Sequence, residues 1–351
     1  MRRVRVLVID DSLTMRRLIG LALSADKRIE VVGEACNPLQ ARRKIADLRP
    51  DVLTLDVEMP DESGLVFLRS LMTVRPMPVI MVSSGTHAGS AAAIEALSLG
   101  AVDCVGKPAS ADTAASFAML PDLVVAAADA RVRPRLVGSG AAHAATIIGD
   151  PGHFAWNGRF VLIGASTGGV EALEQILSRY PANCPPTLIT QHMPAEFLAS
   201  LAQRLNRAMA PRVSLAFDGA LLLQGHVYIA PGADTHLVVD NPRSPVCRLQ
   251  AGEKRNCHRP SADVLFESGA ALAHRAVGVI LTGMGNDGAA GLLRMRHAGS
   301  TCLAQDRDSS VVWGMPRVAQ EIGAAEHVVP LLQMGREILR ATSLRARVPL
   351  R

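Results

Sequence analysis

From Arg5 to about Ala130 the chain alternates short β-branched runs with longer segments of helical period. The runs are Val6–Ile9, Val31–Glu34, Val52–Leu55, Val79–Val82 and Val102–Val105. Between them, Thr14–Ser24, Pro38–Leu48, Gly64–Met72 and Gly89–Leu99 return apolar residues to one face every three or four positions. Apolar strands without a polar alternation, each followed by a helix, predict a parallel sheet covered on both faces. The pattern stops between Arg131 and Gly158, where Arg133-Pro134-Arg135, Gly138-Ser139-Gly140 and Asp150-Pro151-Gly152 read as a linker. A second series follows with Phe160–Ile163, Leu188–Gln191, Val227–Ala230, Val277–Thr282 and Thr301–Ala304, and Arg345–Arg351 reads as a loose tail. The expected fold is α/β with two doubly wound parallel-sheet domains, over residues 1–132 and 159–345, joined by a linker over 133–158.

Composition agrees with that division. At roughly 150 residues per domain, 351 residues make two domains. A chain 49% hydrophobic and 20% charged is too apolar for disorder. No run approaches the roughly 18 apolar residues of a membrane helix. The apolar stretch after Met1-Arg2-Arg3-Val4-Arg5 ends at Asp10, so neither membrane insertion nor a signal peptide is expected. Cys36, Cys104, Cys184, Cys247, Cys257 and Cys302 form no C-x-x-C pair and suit reduced thiols in the cytoplasm. The net charge of +5 raises a nucleic-acid partner. Lysine occurs only at Lys27, Lys44, Lys107 and Lys254, the arginines are spread, and aromatics make up 3%. No stacking or basic surface is implied, and no nucleic-acid partner is expected.

In an open α/β sheet the carboxyl ends of the strands share one rim, where ligands bind. In the first domain that rim collects Asp10-Asp11-Ser12, Asp56, Ser83-Ser84 and Lys107-Pro108 from four separate strands. A loop cap accounts for any one of these aspartates but poorly for all of them together. Gathered carboxylates repel unless a hard cation such as Mg²⁺ holds them. A carboxylate can also attack a phosphoryl group, with a lysine and a hydroxyl steadying the new oxygens. Residues 4–130 resemble a response-regulator receiver domain, which is flavodoxin-like. That resemblance implies that Asp56 is the phospho-acceptor and that Asp10, Asp11 and Asp56 hold Mg²⁺. It further makes Ser83 the switch hydroxyl and Lys107 the conserved cation. The chain departs from receivers at Cys104, where a Tyr or Phe usually stands, and at Gly106 before the lysine.

In the second domain Gly164-Ala165-Ser166-Thr167-Gly168-Gly169 joins a strand to a helix and fits the G-x-S-x-G elbow. Taken alone it fits a phosphate loop or a plain turn equally well. His192 ends the next strand in Gln191-His192-Met193-Pro194, and Asp287 follows a third in Gly283-Met284-Gly285-Asn286-Asp287-Gly288. Together a Ser, a His and an Asp on one rim form a nucleophile, a base and the acid that orients it. The last loop is also literally G-x-G-x-x-G, with Asp306 downstream as a possible ribose ligand. Too little chain remains after Gly288 for both halves of a dinucleotide fold.

Five segments extend the match: Gly164–Gly169, Gln191–Pro194, His258-Arg259-Pro260-Ser261-Ala262-Asp263, Leu281–Gly288 and Gly314-Met315-Pro316-Arg317. They resemble the chemotaxis protein-glutamate methylesterases, and with the receiver the resemblance covers nearly the whole chain. It implies Ser166 as nucleophile, His192 as general base, Asp287 as its orienter and the Met284 N–H as oxyanion donor. It places His258 and Arg259 along the cleft and requires no cofactor for the esterase. The implied substrates are γ-methyl glutamyl esters, and selected glutamines, of methyl-accepting chemotaxis receptors. A chemotaxis histidine autokinase is the implied phosphodonor, in the cytoplasm. Ser214-Leu215 departs from the charged pair that relatives tend to carry. The rival is a response regulator with a non-catalytic output, DNA-binding or protein-sequestering. Residues 159–345 contain neither the helix-turn-helix nor the basic face of a DNA-binding output.

Overall fold

The computed structural model describes residues 2–84, 86–108, 117–132 and 154–344. The chain divides into two compact units, Met1–Ala142 and His143–Arg351. Residues 133–153 of the expected linker, and the tail over 345–351, lie outside the described residues.

The first unit is a five-stranded parallel sheet of β1 (Val4–Ile9), β2 (Ile29–Ala35), β3 (Val52–Asp56), β4 (Val79–Ser83) and β5 (Asp103–Gly106). Their order is β2-β1-β3-β4-β5. All residues of β3 and β4 are buried, which is why their sequences show no polar alternation. Among the described residues, five helices connect and flank the strands: α1 (Leu13–Ser24), α2 (Pro38–Leu48), α3 (Gly64–Val74), α4 (His87–Ser98) and α5 (Leu120–Ala128). The first four are capped by Ser12, Asn37, Ser63 and Thr86, whose side chains each accept a backbone N–H of the first turn. The sheet order reverses between β1 and β3, so the crevice of the fold opens above Asp10 and Asp56.

The second unit carries a seven-stranded parallel sheet with two strands lying outside it. In chain order the elements are β6 (Phe160–Ala165), α6 (Gly169–Leu177), β7 (Thr187–Gln191), α7 (Ala195–Ala208), β8 (Arg212–Leu215) and β9 (His226–Ile229). The antiparallel pair β10 (Thr235–Asp240) and β11 (Val246–Ala251) follows, then α8 (Ala262–Gly269) and β12 (Ala276–Ile280). The described elements end with α9 (Ala289–His297), β13 (Thr301–Gln305), α10 (Met315–Glu321), β14 (His327–Val329) and α11 (Leu331–Ala341). The sheet order is β14-β13-β12-β6-β7-β9-β8. It spreads one way from β6 through β7 and the other way through β12, which puts the switch point at β6. Phe266 of α8 and Leu292 and Met295 of α9 are fully buried in the core on this sheet. Each buried side chain of this size stabilises the unit by roughly 1.5–3 kcal/mol.

The described end of the expected linker, residues 154–158, is fastened to this unit. Asn157 N–H donates to Thr342 O at 3.0 Å, Leu344 N–H donates to Ala155 O at 2.9 Å, and Trp156 bridges to Ser343. The second unit therefore starts before residue 159. Ser214 and Leu215 lie in β8, the edge strand.

Candidate active site

Ser166 follows β6 directly, 8% exposed on the carboxyl rim at the switch point. Its N–H donates to Thr282 O at 3.0 Å, and its carbonyl accepts Gly169 N–H at 2.7 Å, closing a tight turn into α6. Gly168 caps that helix with φ +76°, a conformation that a side chain would strain. His192 follows β7, the neighbouring strand, and its N–H donates to Ala165 O at 3.0 Å. The buried Gln191 side chain links the same two segments: Nε2 donates to Ser166 O at 2.9 Å and to His192 O at 3.2 Å. Thr282, at the end of β12, ties in the third segment by donating from Oγ1 to Thr167 O at 2.9 Å. A Cβ at Gly283 would lie 2.6 Å from Ser166 Cβ, so this loop passes directly against the Ser166 side chain. No acceptor among the described residues takes the Met284 N–H that follows.

His192 Nε2 lies 2.8 Å from Asp287 Oδ2, with both side chains buried. The other ring nitrogen, Nδ1, is buried and has no partner among the described residues, and Ser166 Oγ makes no hydrogen bond to the ring. With Nε2–H held by the carboxylate, Nδ1 is the basic nitrogen of the neutral ring. Asp287 also accepts Ser261 Oγ–H at 2.7 Å, Ala262 N–H at 2.6 Å and Asn256 Nδ2–H at 2.9 Å. Burial pushes its carboxyl pKa up, but the hydrogen bonds from His192, Asn256 and Ser261 outweigh burial and hold it well below the usual range. Asp287 is therefore an anion at neutral pH.

His258 stacks on the His192 ring, while Arg259 points its donors elsewhere. Arg259 Nε donates to Ala233 O at 2.8 Å and one terminal nitrogen to Gly252 O at 2.7 Å, and the guanidinium pairs with Asp234. It joins two loops. The G-x-G-x-x-G segment does not form a phosphate cradle, because its Asp287 carboxylate is turned onto His192 and the N-terminus of α8. Asn256, Ser261 and Gln191 carry site contacts to which the sequence reading gave no role. Only Ser261 left a signal, as the N-cap of α8, where its Oγ accepts Val264 N–H.

In the first unit Lys107 Nζ lies 2.7 Å from Asp56 Oδ2 and 3.0 Å from Asp10 Oδ2. Burial raises the Asp56 carboxyl to about 6 against the Lys107 hydrogen bond, and the Asp10 charge adds to the rise. Burial likewise raises Asp10, opposed by Lys107. Burial works against the Lys107 charge, but the two carboxylates prevail and raise its pKa. One oxygen each from Asp10, Asp11 and Asp56 lies within 4.8 Å of the others. Ser83 Oγ, fully buried, donates to Gly89 O at 3.0 Å in the first turn of α4. Cys104 is buried in β5, and burial pushes its thiol pKa well above the usual range.

Two family models match the sequence, CheB methylesterase over residues 161–338 and response regulator receiver domain over residues 6–116. A protein-glutamate methylesterase/protein-glutamine glutaminase of Agrobacterium fabrum is 54% identical over 342 residues, 97% of each chain. One bearing the same name with the number 1, from Caulobacter vibrioides, is 54% identical over 347 residues, 98% of this chain and 100% of its own length. The crystal structure of the Thermotoga maritima CheB methylesterase catalytic domain covers 52% of this chain and 97% of its own. It is 36% identical, with a TM-score of 0.50.

Proposed function

This chain belongs to the CheB methylesterase family, and we propose how its residues carry out the work of that family. It is a protein-glutamate methylesterase and protein-glutamine glutaminase joined to a response-regulator receiver. A non-catalytic output is thereby set aside.

Ser166 Oγ attacks the γ-carbonyl carbon of the ester or amide and passes its proton to His192 Nδ1. Asp287, bonded to Nε2, keeps that tautomer and balances the imidazolium. The Met284 N–H, which no described acceptor takes, and the N-terminus of α6 stabilise the oxyanion that forms. As the tetrahedral intermediate collapses, the leaving methoxide or amide takes the proton from His192 and departs as methanol or ammonia. Water then enters by the same route in reverse and frees the glutamate and Ser166. The observation that carries this reading is the 2.8 Å bond from His192 Nε2 to Asp287, which leaves Nδ1 for the serine at the switch point.

The substrates are γ-methyl glutamyl esters and selected glutamines of methyl-accepting chemotaxis receptors, and a chemotaxis histidine autokinase phosphorylates Asp56. The cytoplasm suits six free cysteines and a chain with no helix among the described residues long and apolar enough to cross a membrane. Three clustered carboxylates with one lysine to balance them suit Mg²⁺, which Asp10, Asp11 and Asp56 would hold. When bound, Mg²⁺ supplies positive charge against the phosphoryl oxygens. The esterase needs no cofactor.

The direct test is release of labelled methanol from methyl-labelled receptor membranes, with and without a small phosphodonor. Saturable release by the wild type that disappears in Ser166→Ala is expected. Equal release by both overturns the assignment.

A further inference from the structure

Besides His192, Asp287 receives hydrogen bonds from two directions. Ser261 and Ala262 approach from the N-terminal turn of α8, and Asn256 approaches from the polar loop before it. Residues 255–258 form a tight turn, with Arg255 and His258 exchanging backbone bonds of 3.0 and 2.9 Å. Its two central residues, Asn256 and Cys257, have φ of +50° and +67°, the left-handed geometry of a type I′ turn, in which asparagine is favoured. One small turn thus presents Asn256 to Asp287 and His258 to His192.

Asn256 Nδ2 bonds to two carboxylates at once: Asp287 Oδ1 at 2.9 Å and Asp263 Oδ2 at 2.7 Å. Both aspartates are buried, and the other oxygen of Asp263 is taken by Gly291 N–H at 2.6 Å. The amide has two hydrogens, one for each carboxylate, so it has no further donor to give. It separates two groups that would otherwise face each other as like charges. Together with Ser261 Oγ–H at 2.7 Å it occupies Oδ1 of Asp287, which leaves Oδ2 to the His192 ring and the Ala262 N–H.

We propose that Asn256 is a positioning residue of the esterase, whose amide bridges Asp263 and Asp287 and holds the Asp287 carboxylate on His192 Nε2. It acts through Asp287 and touches no substrate. The inference rests on the reading of Ser166, His192 and Asp287 given above.

The test is methanol release by full-length Asn256→Ala and Asn256→Asp. Aspartate tolerates the left-handed turn as asparagine does, so Asn256→Asp keeps the loop but replaces the donor with an acceptor. Loss of a hydrogen bond to a charged group is expected to lower kcat about tenfold to a hundredfold in Asn256→Ala. Asn256→Asp should lose at least as much, and KM should stay within about twofold in both. In an Asp287→Ala background Asn256 has nothing left to hold, so adding Asn256→Ala should cost less than about threefold more. Near-normal turnover by Asn256→Asp, or full additivity with Asp287→Ala, overturns the proposal. If Ser166→Ala is inactive while Asn256→Asp is active, this inference alone fails. If Ser166→Ala is active, the catalytic reading fails with it.

Discussion

The rings of His192 and His258 stack with centroids 3.7 Å apart and planes 7° from parallel. A second positive charge at that distance from the His192 imidazole is strongly disfavoured. Burial, with His192 beside it, lowers the His258 pKa to about 4. His258 therefore stays neutral at pH 7 and gives the base a flat, uncharged neighbour.

The stack has a consequence for stability. In the unfolded chain His258 takes a proton near its ordinary value of 6.5, whereas in the folded unit it does so only near 4. A depressed folded pKa contributes stability that is fully present above pH 6.5 and is lost as pH falls toward 4. The loss attached to this one group is on the order of 2–3 kcal/mol. Calorimetry of wild type and His258→Asn between pH 7 and pH 4 measures it. The wild type should lose stability relative to the variant across that window, and parallel curves would count against the neutral stack.

Ser166→Ala should abolish turnover while leaving receiver phosphorylation and the fold intact. With the nucleophile gone, only the oxyanion donors and substrate binding remain, and the loss should reach about three to six orders of magnitude in kcat. A merely twofold loss would mean that another group attacks the ester.

Asp287→Asn should be nearly as damaging without loss of substrate binding. The carboxylate now accepts Nε2–H, which leaves Nδ1 without a proton. An amide turned to donate toward Nε2 would favour the opposite tautomer, whose Nδ1 already carries a proton and cannot take one from serine. A kcat lowered about 10⁴-fold with KM little changed is expected. Steady-state kinetics on a soluble methyl-ester peptide distinguishes this from a variant that fails to bind.

Ser166, His192 and Asp287 were legible in the sequence because each stands immediately after a buried apolar strand, or one short loop beyond it. In a parallel sheet such positions share a rim whatever the strand order. The strands that escaped notice have equally physical reasons. Arg212-Val213-Ser214-Leu215 is a short edge strand with polar positions, and His327–Val329 spans three residues. Thr235–Asp240 and Val246–Ala251 pair with each other outside the main sheet. Asn256 looks like any polar loop residue until the turn at 255–258 brings its amide to Asp287. The place of Gln191 depends on the β6–β7 register, in which Ala165 faces Gln191. Arg259 adjoins His258 in sequence, but its donors find Ala233, Gly252 and Asp234, acceptors that only the folded loops bring within reach.

The receiver offers the last test. Phosphorylation of Asp56 replaces its single carboxylate charge with a phosphoryl group carrying about −1.5 to −2, beside Lys107, which already bridges Asp56 and Asp10. Ser83 Oγ is engaged with Gly89 O, so reaching a phosphoryl oxygen requires it to leave the first turn of α4. Cys104 is buried and has no ring to swing, so the response is expected to run through Ser83 and α4. If the receiver restrains the esterase until it is phosphorylated, a small phosphodonor should raise methanol release by the full chain. Asp56→Asn and chelation of Mg²⁺ should each abolish that rise without lowering the baseline. If Ser83 couples the phosphoryl group to α4, Ser83→Ala should be phosphorylated yet respond weakly. Removing residues 1–135 should raise basal release above that of the unphosphorylated chain. A truncated enzyme no faster than the full chain would refute restraint by the receiver, and an Asp56→Asn chain that still responds would place the phosphoryl group on another residue.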